Sequence, residues 1–117
     1  MLDTDNTVEL DGSTKSHQLL LKKCLFWLSL NRPWVCWSNT SGHVKTEEGR
    51  YIKFGLKGSS DIIGFTDQGH FISIEIKTGK SVLSKQQKAF RATCLKNNVK
   101  YFLVRPGIVF EKIFGDV

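Results

Sequence analysis

Asp61, Glu75 and Lys77 are three side chains that, brought to one point, could hydrolyse a phosphodiester bond. The run Phe71-Ile72-Ser73-Ile74-Glu75-Ile76-Lys77 alternates with a period of two, so an extended strand sends the isoleucines to one face and Ser73, Glu75 and Lys77 to the other. The isoleucine face predicts core. The opposite face carries a carboxylate and an ammonium about 7 Å apart along the strand. Taken alone, that pair also fits an exposed ion pair on an ordinary antiparallel sheet.

The hairpin partner adds a second carboxylate. A three-residue loop, Asp67-Gln68-Gly69, fits a type I turn closed by a left-handed glycine and pairs Thr66 with His70. In that register Asp61 falls opposite Glu75 on the same face, with Cβ atoms about 5 Å apart. Like charges so placed repel unless a cation sits between them. A two-residue Gln68-Gly69 loop would instead shift the register by one. In the first register, two carboxylates and a nearby main-chain carbonyl form a hard oxygen set suited to Mg²⁺ or Mn²⁺ with several retained waters. Lys77 could then hold or deprotonate a water, or neutralise charge on a scissile phosphate.

The elements that must position these groups can be read from pattern. Residues 1–12 are acidic and polar and predict a mobile arm, leaving residues 13–117 as one domain. Ser13 or Thr14 can cap a helix over roughly Lys15 to Leu30, where Leu21, Cys24, Leu25 and Leu28 recur at helical spacing before Asn31-Arg32-Pro33 stops it. Trp34–Trp37 and Tyr51–Phe54 predict strands separated by a polar Ser38–Gly42 loop, and Gly55–Ser60 predicts a second loop. Asp61–Thr66 and Phe71–Thr78 follow as a hairpin. Ser84 to about Asn97 predicts a helix with Leu83, Gln87, Phe90, Cys94 and Leu95 roughly on one side. Val99–Val104 is apolar enough to be an internal strand, and Pro106-Gly107 turns the chain into a short amphipathic tail. The order αββββαβ implies an α/β fold, a small mixed sheet flanked by helices.

Charge bears on the partner. Seventeen Lys and Arg against eleven Asp and Glu give +6 over 117 residues. Four of those acids, Asp3, Asp5, Glu9 and Asp11, lie in the first eleven residues, so the remainder sets seventeen cations against seven acids, +10. Such a field suits a polyanion, although surplus lysine also serves solubility. Lys22 and Lys23 interrupt the most apolar stretch, Leu19–Leu30, so no run reaches the roughly 18 residues that span a bilayer, and no secretory signal is readable. Cys24, Cys36 and Cys94 lack CxxC spacing and predict reduced, partly buried thiols in a cytoplasmic setting.

Gly58-Ser59-Ser60-Asp61, Ile74-Glu75-Ile76-Lys77 and Leu83-Ser84-Lys85-Gln86-Gln87-Lys88-Ala89-Phe90, with Trp37–Gly42 upstream, resemble the virus-type replication-repair nuclease (VRR-NUC) domain of the PD-(D/E)xK superfamily. The resemblance covers roughly residues 16–105. It implies a restriction-endonuclease-like core in which Asp61, Glu75 and the Ile76 carbonyl bind Mg²⁺ or Mn²⁺. It further implies that Lys77 is the catalytic lysine and that Gln87 positions substrate or water. Stand-alone members look like junction-resolving enzymes, which implies a homodimer acting on branched DNA in replication, recombination or repair. Ser84 and Gln87 also fit a capping box, so helix initiation is an equal and compatible use of Gln87.

Two positions depart from the family pattern. Many members carry a Glu on the first helix facing the metal. This helix has no acid, His17 stands at about that position, and Glu9 is a remote substitute. His17 is thus a candidate ligand or phosphate contact, or simply structural. The superfamily's usual proline before the aspartate is Ser60. Among the basic residues around the motif, Lys53, Lys57, Lys80, Lys85 and Lys88, with Ser59, are candidate DNA contacts, and Lys45, Arg50 and Arg91 could extend the track. Trp34 and Trp37 could stack on bases or lie in a core or dimer interface. Gly58 could let its loop approach the site or DNA, or serve as a plain turn. A non-catalytic basic nucleic-acid-binding module and a small nucleotide hydrolase are the rival functions.

Overall fold

A computed structural model describes residues 16–115, so the arm expected over residues 1–12 lies outside the described residues. The elements run α1 (His17–Asn31), β1 (Val35–Ser38), β2 (Gly42–Lys45), β3 (Tyr51–Phe54), β4 (Ile62–Phe65), β5 (Phe71–Ile76), α2 (Lys85–Lys96), β6 (Lys100–Val104) and α3 (Phe110–Phe114).

The main sheet has the strand order β1-β4-β5-β6, antiparallel except for the parallel pair β5 and β6, which α2 joins as a crossover. β2 and β3 pair only with each other, as a separate two-stranded ribbon. The mixed sheet with flanking helices matches expectation, whereas the order αββββαβ does not. The loop expected over Ser38–Gly42 shrinks to residues 39–41, since Ser38 ends β1 and Gly42 opens a strand, β2, to which β3 supplies hydrogen bonds in the register Gly42 to Phe54. The tail forms a helix because Phe110 and Phe114 are wholly buried against Trp27, whose ring stacks on Phe114 and meets Phe110 at a tilt.

α1 starts at His17 with Ser16 as its cap, its hydroxyl accepting from the Leu19 N–H at 3.3 Å, later than a Ser13 or Thr14 cap would place it. Leu20, Leu21, Cys24, Trp27 and Leu28 pack on the isoleucine face of β5. Trp34 belongs to this core, while Trp37 stays about half exposed with its ring edge against Phe65. β6 lies at the sheet edge and not inside. Its apolar character follows from cover by α2 and α3 rather than from neighbouring strands. Leu95, expected on the packed side of α2, is half exposed. The three cysteines are free, and burial pushes the Cys36 thiol up to about 11 and raises Cys24 and Cys94 as well.

Candidate active site

The β4–β5 turn sets the geometry. Gly69 has φ +82°, Thr66 N–H donates to the His70 carbonyl at 2.9 Å, and Gly69 N–H donates back to the Thr66 carbonyl at 3.0 Å. The loop is therefore the three-residue one, and Ile62 pairs with Ile74 and Ile63 with Ser73. One step beyond the ladder, Asp61 meets the end of β5, where its Oδ2 accepts the Ile76 N–H at 2.8 Å. The same oxygen lies 3.2 Å from His17 Nε2 at the start of α1.

Glu75 is only 2% exposed, so the ion pair on this strand is not the exposed one that the motif alone allows. β5 is central, and α2 covers its Ser73 and Glu75 face. Glu75 Oε2 accepts from Gln87 Nε2 at 3.1 Å and lies 3.6 Å from Lys77 Nζ. Its Oε1 is buried and has no partner. Burial raises the Glu75 carboxyl to about 8, helped by the hydrogen bond to and charge of Asp61 and opposed by Lys77.

Gln87 closes the expected cap and also reaches both motif side chains, Lys77 and Glu75. The Ser84 hydroxyl accepts from the Gln87 N–H, and Gln87 Oε1 accepts the Ser84 N–H at 2.9 Å, closing the capping box. That same Oε1 takes the Lys77 ammonium at 2.9 Å. The cap thereby aims the amide between Lys77 and Glu75.

A second set of contacts, not foreseen from sequence, holds the Asp61 loop. Ser60 and Ser73 hydroxyls share a buried hydrogen bond of 2.6 Å, and the Tyr101 phenol hydrogen-bonds to Ser60. Asn39 N–H donates to the Asp61 carbonyl at 2.7 Å, and its amide reaches Ser59 Oγ and the Ser60 carbonyl. Ser73 could have been suspected, since it shares a strand face with Glu75. Asn39 and Tyr101 carry no local signal. Gly58 is required by packing: at φ +89° a Cβ would fall 2.6 Å from the Gln86 carbonyl oxygen, so the loop touches the first turn of α2.

His17, Asn39, Ser41, Ser59, Asp61 and Gln87 line a polar cleft of about 330 Å³. The Ser59 hydroxyl donates its proton to the Leu56 carbonyl at 2.6 Å, so it braces the loop and has none to give a phosphate. Lys53 and Lys57 are exposed on an adjoining cleft, whereas Lys80, Lys85 and Lys88 are exposed but line neither. The carboxylates suit a hard cation, because Asp61 and Glu75 are close enough to interact and one Glu75 oxygen is buried with no donor. Among the described residues no three His, Cys, Asp or Glu side chains gather as a metal cluster.

A mixed sheet with a lysine and paired carboxylates at one end of its two central strands, and a helix-borne glutamine closing over them, defines a nuclease-type α/β domain. The chain belongs to the VRR-NUC domain family, whose model matches it over residues 17–106. No curated protein and no solved structure matches it. Among the described residues no helix is long and apolar enough to cross a membrane.

Proposed function

We propose that this chain is a Mg²⁺- or Mn²⁺-dependent deoxyribonuclease that hydrolyses DNA phosphodiester bonds, selective for branched or junction DNA in replication, recombination or repair. One observation carries it: a buried carboxylate, Glu75, faces a second, Asp61, and has one oxygen without a donor while an ammonium and an amide hold the other. A buried carboxylate beside a second, partly exposed one is held only at a cost, which a bound cation removes.

Asp61, Glu75 and the Ile76 carbonyl would hold the ion, with His17 as a further candidate ligand. When bound, such an ion polarises a phosphoryl oxygen and lowers the pKa of its water. Lys77 would orient water or neutralise charge developing on the phosphate. Gln87 keeps Lys77 and Glu75 in position. Lys53, Lys57, Lys80, Lys85 and Lys88 are the proposed phosphate contacts. The same reading takes residues 13–117 as one nuclease domain, a homodimer as the working form and the cytoplasm as its compartment.

The test incubates purified protein with supercoiled plasmid and a labelled four-way junction, in Mg²⁺, Mn²⁺ or EDTA, alongside Asp61→Asn. Metal-dependent nicking is expected, lost in the variant while DNA affinity stays within a few fold, because phosphate contacts are spread over many residues. Binding with no nicking under either metal would make the chain a non-catalytic nucleic-acid-binding module. Hydrolysis of free nucleotides alone would make it a small hydrolase. Either result overturns the proposal.

A further inference from the structure

The polar cleft at Asp61 adjoins a second one. Ser41 lines both, and the second, of about 460 Å³, lies at the base of the β2–β3 ribbon between His43, Lys53, Phe54 and Lys57. The backbone explains why the ribbon leaves the sheet here. Gly55 has φ +72°, and a Cβ there would fall 2.5 Å from the Thr40 carbonyl oxygen, so only glycine lets the end of β3 lie against Thr40 and Ser41. The Phe54 ring packs over Gly42 yet remains 45% exposed.

The charge of this cleft is one-sided. No carboxylate lines it, and among the described residues neither Lys53 nor Lys57 has an ion-pair partner. Glu47 and Glu48 stand in the turn at the ribbon's far end, about 13 Å away by strand length. Cations beside an exposed aromatic ring, next to a phosphodiester site, fit an anion that carries a flat apolar group. The volume is at the lower end of small-ligand clefts, roughly 300–1,000 Å³, and is too small for a duplex.

We infer that this second cleft takes one unpaired nucleotide of the substrate strand, with its phosphate on Lys53 and Lys57 and its base on the Phe54 ring. The inference rests on the nuclease reading above and supplies a source for structure selectivity. A base inside a duplex is stacked on both faces and has none to offer a ring, so the cleft selects a splayed one. Because Ser41 joins the two clefts, the selected nucleotide lies next to the scissile phosphate.

The experiment measures binding in EDTA by fluorescence anisotropy, using a labelled flap duplex, a fully paired duplex of the same sequence, and flaps with one abasic position moved along the single strand. Wild type binds the flap more tightly than the paired duplex. Phe54→Ala removes about 5- to 100-fold of flap affinity and little of duplex affinity, as expected for one lost base stack. At one abasic position wild type loses the same factor, and there Phe54→Ala adds nothing further. Lys57→Ala lowers the slope of log affinity against log salt by about one. Unchanged flap preference in Phe54→Ala at wild-type melting temperature, or losses that add at every abasic position, overturns the cleft alone. Wild type that binds none of these DNAs in EDTA and cleaves none of them in Mg²⁺ or Mn²⁺ overturns the nuclease reading and the cleft with it.

Discussion

The Lys77 ammonium lies closer to Gln87 Oε1, at 2.9 Å, than to Glu75 Oε2, at 3.6 Å. The partner of the motif lysine is thus a neutral amide that the cap of α2 holds in place. Capping and positioning can be separated by mutation. Ser84→Ala removes the hydroxyl half of the cap and should cost about 1 kcal/mol of stability with cleavage within a few fold. Gln87→Leu should cost a similar amount and also lower cleavage at least tenfold, because Lys77 and Glu75 Oε2 lose their shared amide. Denaturant melts with cleavage rates on the same preparations decide it. Equal cleavage losses in the two variants would assign Gln87 to the cap only.

Glu75 should make the metal-free protein sensitive to pH. Its folded carboxyl titrates near 8, above the ordinary value of 4.5, because of burial and then Asp61. The folded state therefore holds the proton more tightly than the unfolded one, and stability falls as pH rises from about 4.5 to about 8. In EDTA, Glu75→Gln should flatten that decline and melt above wild type at pH 8 by at least 1 kcal/mol, about 4–8 °C. Mg²⁺ at tenfold over a millimolar affinity should raise wild type by roughly 1.4 kcal/mol and leave Glu75→Gln unmoved. An equal Mg²⁺ shift in both proteins would place the cation elsewhere.

His17 touches the carboxylate that also receives the Ile76 N–H. His17→Ala should lower cleavage about tenfold and raise the Mg²⁺ concentration for half-maximal rate. His17→Glu, which restores an acid at that point, should recover part of both. Unchanged kinetics in the alanine variant would make the histidine structural.

Ser60 and Ser73 form one buried unit. Ser60→Ala removes the oxygen that accepts the Ser73 hydroxyl, and with it the Tyr101 contact, and should cost about 1–3 kcal/mol. The double alanine variant should cost less than the two single losses together, read as a coupling in a double-mutant cycle. Additive losses would mean that the two hydroxyls act separately.

What the sequence determined by itself is what near neighbours decide. The alternation of Phe71–Lys77 is local and sets Glu75 and Lys77 on one face, while the register that puts Asp61 opposite Glu75 stayed open between two loop lengths until the left-handed Gly69 and the Thr66–His70 bonds settled it. The Ser84 and Gln87 cap is equally local, since both partners lie within one helical turn. The tertiary structure alone decided the rest. Glu75 is buried because β5 lies between β4 and β6 and under α2, a neighbourhood assembled from segments far apart in the chain. The Asn39, Ser60, Ser73 and Tyr101 contacts join four separate stretches of chain, and a hydroxyl or amide in a sequence does not reveal which distant partner will satisfy it. β2 became a strand only because β3 came back beside it, as strand pairing depends on context more than on the segment's own composition.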